Sequence, residues 1–375
     1  MKKVWAVLMA VMLLLSLSAC AGGQGGTSTD ITAENIKVGV IHITSKNDTA
    51  GYTYAHQSGV LAMQKELGLK DSQLVIIDNV DDTDVTATQN AIQQCIDAGC
   101  NIIFGTSYNY MNTMEQYANN PEYADIIFSH CSGSKSNKTN FNNYFGRIYE
   151  ARYLSGIAAG LRTQTNKIGY VAAMDVNNAE VTGGINAFAL GVQSVNPDAE
   201  VLVSVTGSWY DPVKEKASAE ALIAAGCDVL AQHADSDMVQ TTAAAANIWG
   251  CGYNSDMTTE HTKNSHLCAP IWNWGSYYTS AVKAVIDGTW KAENYYEGMN
   301  VGLVGLSPLN TQAAAAGTQE KIDEMAAKIK DGSFFVFSGP LYDNKGNQIL
   351  AEGEKLTDAQ ITVQINYYIQ GVDTI

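Results

Sequence analysis

Aromatic residues recur where apolar strand-like runs give way to helical runs, and polar residues accompany them. Tyr52 and Tyr54 follow Lys37–Ile43, and Tyr108 and Tyr110 follow Asn101–Phe104. Trp209 and Tyr210 follow Val201–Val205, Tyr253 follows Ile248–Gly250, and Trp272 and Trp274 follow Leu267. Asp48, His56, Asp211, Asp235, Asn254, Asp256 and Asn273 lie close to them in the chain. Aromatic faces can sandwich a planar nitrogen heterocycle while carboxylates and amides hydrogen-bond its edge. Stacking then supplies affinity, and the edge bonds supply selectivity. The candidate ligand-binding residues are therefore Asp48, Tyr52, Tyr54, Tyr108, Trp209, Asp211, Asp235, Asn254, Asp256, Trp272 and Trp274. The competing reading makes the rings packing residues and each Asp a helix cap. Asp211, just before Pro212, fits a cap well.

Catalytic signatures are missing. The sequence has no GxSxG, GxxxxGK[ST], HExxH or GxGxxG, so no enzyme is expected. Cys and His show no metal-ligand spacing beyond the weak pair His266 and Cys268, so neither metal nor cofactor is expected.

The elements that must position these residues alternate. Lys37–Ile43 reads as a buried strand, Gly51–Leu67 as a helix stopped by Gly68, and Leu74–Ile77 as a strand. Asp84–Ala98 is a helix and Asn101–Phe104 a strand, a pattern that predicts parallel sheet with helices on both faces. The pattern then repeats. Lys37-Val38-Gly39-Val40 is echoed by Lys167-Ile168-Gly169-Tyr170, and Ile96–Ile103 by Ile223–Leu230. Each second echo is a helix closed at Gly and followed by a buried strand. The expected fold class is α/β, two doubly wound parallel-sheet lobes with a hinge. Residues 36–151 plus about 272–305 would form one lobe, and 152–271 plus about 306–375 the other. Ligands bind such sheets beyond the carboxyl ends of the strands, here in the cleft between lobes. A helix over Tyr277–Ile286, another over Gln319–Lys330, a hairpin of Phe334–Leu341 with Gln348–Leu350, and a last helix over Asp358–Ile369 complete the expectation.

The amino terminus gives an address. Met1-Lys2-Lys3, an apolar run from Val4 to Leu15, and Leu17-Ser18-Ala19-Cys20 form a secretory signal ending in a motif that resembles the bacterial lipobox. Residues 1–19 are the expected signal peptide, Cys20 the lipidated residue, and residues 20–35 a Gly/Ser/Thr-rich tether. The expected location is the extracytoplasmic face of the cell membrane, held by acyl chains such as palmitate. The net charge of −16 argues against nucleic acid as a partner. Besides Cys20 there are six Cys, which could pair in fifteen ways. Cys100 and Cys227, at strand starts, read as buried free thiols.

Several stretches together resemble the basic membrane protein (BMP) family, substrate-binding lipoproteins of ABC transporters akin to purine nucleoside receptors. They are Ala50–His56, Tyr149–Gly156, Gly207–Pro212, Gly252–Met257 and Trp272–Gly275, within a resemblance covering about Lys37 to Leu341. The resemblance implies a type I periplasmic-binding-protein fold, no catalysis, a small purine-like solute and an ABC permease as partners. Nucleoside-binding members carry Phe where this chain has Tyr52 and Trp209, and Lys where it has Trp272. Both rings are kept, whereas losing the Lys points toward a free base rather than a nucleoside. A ligand-sensing or adhesive surface lipoprotein with the same fold and no transport partner is the alternative.

Overall fold

Runs of β-branched residues between Gly-closed helices form two six-stranded sheets, each parallel throughout. The computed structural model describes residues 30–375, so the signal sequence, Cys20 and most of the tether lie outside the described residues. The first sheet contains β1 (Val38–Ile41), β2 (Leu74–Ile77), β3 (Ile102–Gly105), β4 (Ile127–Cys131), β5 (Phe141–Gly146) and β12 (Tyr295–Glu297), in the spatial order 2-1-3-4-5-12. The second contains β6 (Lys167–Ala172), β7 (Glu200–Val205), β8 (Val229–His233), β9 (Trp249–Cys251), β10 (His266–Cys268) and β16 (Val372–Thr374), in the order 16-7-6-8-9-10. Val38 pairs with Leu74 and Ile102, and its sequence echo Ile168 pairs with Val201 and Val229. The internal repeat is thus a repeat of sheet position.

Helices follow the local rules that the sequence displays. Helix α1 (Gly51–Leu67) ends at Gly68, whose left-handed φ of 66° returns its N–H to the carbonyls of Gln64 and Lys65. Helix α2 (Val85–Asp97) begins at Asp84, whose carboxylate accepts the N–H groups of Thr86 and Ala87. Then come α3 (Met111–Ala118), α4 (Ile148–Arg162), α5 (Ala179–Gln193), α6 (Pro212–Ala224), α7 (Met238–Ala245), α8 (Trp274–Ile286), α9 (Thr318–Lys330) and α10 (Asp358–Val363). The six described cysteines are unpaired and buried. No described helix is long and apolar enough to cross a membrane.

Two expectations near the carboxyl end need correction. The hairpin is confined to β14 (Leu341–Tyr342) and β15 (Gln348–Leu350). Phe334 and Phe337 instead pack their rings on Tyr153 and Tyr149 of α4, at 5.1 and 5.3 Å. The last helix stops at Val363. Beyond it, Asn186 of α5 takes over the backbone, donating to the Tyr367 carbonyl at 2.9 Å and accepting the Ile369 N–H at 3.1 Å. That clamp turns the chain outward into β16, a strand too short to show periodicity.

Chain passes between the sheets three times. The passages are stitched together: Arg147 N–H donates to the Glu297 carbonyl at 2.8 Å, and Asn273 N–H to the Leu303 carbonyl at 2.7 Å. The antiparallel pair β11 (Pro270–Trp272) and β13 (Val304–Leu306) lies in these passages. The Arg147 guanidinium adds a two-pronged contact to Asp358, at 3.0 and 2.6 Å. After the second passage α8 packs on α1, beside the first sheet.

Candidate functional site

Helices α4 and α5 pack closely enough to carry a charged group into the interior. At Gly156 a side chain would collide with the Phe188 backbone, and at Gly191 with that of Tyr153, so the helices touch main chain to main chain. A Cβ at Gly184 would lie 2.8 Å from Arg152 Cδ and 2.9 Å from His233 Nδ1, so its absence makes room for both side chains. Arg152 is only 2% exposed. Its Nη1 donates to the Tyr170 hydroxyl at 2.7 Å and the Gln232 carbonyl at 3.0 Å, and its guanidinium sits 4.0 Å over the Tyr253 ring. Among the described residues its Nε and Nη2 have no partner.

Acidic and imidazole groups surround that cation. Glu180 projects from the first turn of α5, with Oε1 3.7 Å from His233 Nε2. Burial lifts the Glu180 carboxyl to about 7 against the pull of Arg152, and the Asp235 charge raises it further. Neither ring nitrogen of His233 has a hydrogen-bond partner, and burial together with Arg152 holds its pKa well below the usual imidazole value. Asp235 is also lifted to about 7 by burial, although Asn254 Nδ2 donates to it at 2.8 Å. Asn254 has a left-handed φ of 67°, and its Oδ1 is buried without a donor.

An aromatic wall closes one side. Trp272 stacks on Trp274 with centroids 4.3 Å apart, and Trp274 stacks on His56 at 4.6 Å. Both faces of Trp274 are therefore taken by protein. Tyr52 meets His56 edge-on at 4.5 Å, and Trp272 Nε1 donates to the Tyr253 hydroxyl at 3.3 Å. His233 meets the Tyr253 ring at 4.8 Å and the Trp209 ring at 5.9 Å. Burial pushes the Tyr52 hydroxyl up, as do Cys131 and, from the opposite lobe, the charge of Glu180. Tyr52, Trp209, Glu180 and Asp235 all keep some accessible surface.

Of the sequence-derived candidates, Tyr52, Trp209, Asp235, Asn254, Trp272 and Trp274 come together here. The others stand elsewhere. Asp48 is half-buried in the loop before α1 and accepts from the Thr44 hydroxyl at 2.6 Å. Tyr54 and Tyr108 are exposed. Asp211 caps α6 by accepting the Lys214 N–H at 3.1 Å. Asp256 is exposed and accepts the Thr258 N–H at 2.9 Å. Arg152, Glu180 and His233 are absent from the sequence-derived set. One signal pointed to Arg152: it is a charge inside the otherwise small and apolar run Ala151–Gly160.

Two α/β lobes, each built on a parallel sheet, define a periplasmic-binding-protein-like fold. Solved structures share the fold: a solute-binding protein of an ABC transporter from Conexibacter woesei aligns with a TM-score of 0.65 at 19% identity, over 80% of this chain and 98% of that one. A transcriptional activator of the comK gene from Bacillus halodurans aligns at 0.66 and 19%, over 80% and 99%. The sequence pattern of the Bmp family, described as PnrA-like ABC transporter substrate-binding proteins, matches residues 36–334. The chain belongs to that family, and it is a solute-binding protein, not an enzyme. Among relatives, a purine-binding protein of Brucella abortus (strain 2308) is 36% identical over 91% of this chain and 93% of its own length. A protein of Haloferax volcanii, named as a candidate glucose-binding protein of an ABC transporter, is 32% identical over 84% and 78%.

Proposed function

We propose that this protein is the lipid-anchored receptor of an ABC importer, capturing a purine base or nucleoside between its lobes and delivering it to a permease. The observation that carries this reading is a set of buried polar atoms without partners beside aromatic rings. Arg152 Nε and Nη2, both nitrogens of His233 and Asn254 Oδ1 are all unpaired near Tyr52, Trp209 and Tyr253. Native interiors rarely leave such groups unsatisfied, and a solute with donors and acceptors would satisfy them. The purine-binding relative supports the ligand class. Tyr52 and Trp209 supply stacking faces in this reading, and Asp235 and Asn254 supply edge contacts.

Calorimetric titration with adenine, guanine, adenosine and glucose tests it. Heat with a purine and none with glucose is expected. Heat with glucose alone would move the assignment to the sugar named for the Haloferax relative. Lipid attachment at Cys20 is tested separately by labelling cells with a palmitate analogue; a Cys20→Ala protein should lose the label and leave the membrane fraction.

A further inference from the structure

We propose that Glu180 selects the solute: its carboxylate accepts hydrogen bonds from N–H donors on the six-membered-ring edge of a flat heterocycle. This rests on the purine reading above and names the group that discriminates within it.

Glu180 is the second residue of α5, which Asn178 caps by accepting the Val181 N–H. An acidic residue in a first turn favours the helix dipole, and at a surface that would be explanation enough. Here the side chain is 29% accessible yet turned toward His233, Asp235 and Arg152, with Tyr52 of the other lobe near enough to feel its charge. Among the described residues nothing donates a hydrogen bond to either carboxylate oxygen; His233 Nε2, at 3.7 Å, is too far. Asp235, by contrast, has its partner in Asn254. A carboxylate withdrawn from bulk water without a donor is costly.

The neighbours do not relieve it: Arg152 Nε and Nη2 make no hydrogen bond to any described residue, Glu180 included. The Nη1 of Arg152 is committed to Tyr170 and Gln232, and the cation as a whole stands over the Tyr253 ring. Arg152 therefore offsets the charge of Glu180 through space while making no hydrogen bond to its oxygens. What remains is an acceptor facing the space beside Tyr52 and Trp209, and its complement is an amino or lactam N–H. Adenine offers the exocyclic amine and guanine the N1–H and N2–H pair. Unsubstituted purine carries no donor on its six-membered ring.

The test is calorimetric titration of the full-length protein in detergent with adenine, guanine and unsubstituted purine. Wild type should bind adenine or guanine at least about tenfold more tightly than purine. Glu180→Ala should bring that ratio close to one. Glu180→Gln, which keeps one acceptor, should retain part of the preference, and it carries the test if the Ala variant does not fold. A ratio unchanged in the variants, or a wild-type ratio near one, overturns the role of Glu180 and leaves the purine reading standing. No binding by wild type of any of these bases, or of adenosine, overturns both.

Discussion

The Cα of Gly51 rests against the main-chain carbonyl of Asp235: a Cβ added at Gly51 would lie 2.5 Å from that oxygen. Gly51 opens α1 beside the first sheet, and Asp235 follows β8 of the second, so the two lobes touch here without a side chain between them. Gly51 also holds a φ of 83°, which other residues adopt only with strain. Gly51→Ala should therefore wedge the lobes apart. Solute affinity is expected to fall about tenfold or more, and solution scattering should show less compaction on solute addition than wild type. Wild-type affinity in the variant would show that this contact does not govern closure.

Stacking should be separable from packing at Trp209, which is half-buried and has no second ring stacked on it. Trp209→Ala is expected to weaken purine binding by about ten- to a hundredfold, and Trp209→Phe by much less. Equal losses in the two variants would show that the ring face is not what binds.

The stack of Trp272, Trp274 and His56 is expected to contribute chiefly to stability. Trp274 is fully buried, so Trp274→Ala should cost about 3–5 kcal/mol of unfolding free energy in urea titrations. Trp209→Ala should cost markedly less. Similar midpoints for the two variants would contradict the distinction drawn between wall and site.

The raised carboxyls give the solute-free protein a defined pH response. Glu180 and Asp235 titrate near 7 in the fold but near 4 in an unfolded chain. Their contribution is full below about pH 4 and is lost as pH rises toward 7, because the folded state resists their ionisation. His56 and His233 act oppositely: their depressed values make folding resist protonation, so their contribution fades as pH drops below about 6.5. Glu180→Gln isolates one of these groups. It should raise the unfolding midpoint at pH 8, by an amount corresponding to about 1–3 kcal/mol, and leave it nearly unchanged at pH 4. A gain that is equal at both pH values would mean the side chain acts by packing.

Much of the scaffold was legible because the signals are local. Gly68 ends α1, Asp84 begins α2, and the echo of Val38 in Ile168 marks equivalent central strands. The short strands β11 and β13 of the passages between sheets, and the edge strand β12 of the first sheet, were not legible: three residues carry no periodicity, and tertiary pairing decides them. The site divides in the same way. Aromatic residues after strands announce a cleft, and six of the eleven candidates meet there. Glu180 looks in sequence like an ordinary first-turn acid, and His233 like the polar end of a strand. Tertiary packing places them: Gly184 leaves room for Arg152 and His233 side by side, and Glu180 Oε1 lies 3.7 Å from His233.

The occupied faces of Trp272 and Trp274 also have a spectroscopic consequence. Their surroundings are protein on both sides or nearly so, and Trp249 lies under the Arg162 guanidinium at 3.3 Å. Trp209 is attached to the Asp235 loop through the Asp235 N–H at 2.9 Å, and that loop meets Gly51 across the cleft. Lobe closure is therefore expected to alter the polarity around Trp209 more than around those three, or around Trp290 in the connection between α8 and β12. Intrinsic tryptophan emission should then shift on solute addition without any added dye, and lose most of that shift in Trp209→Phe.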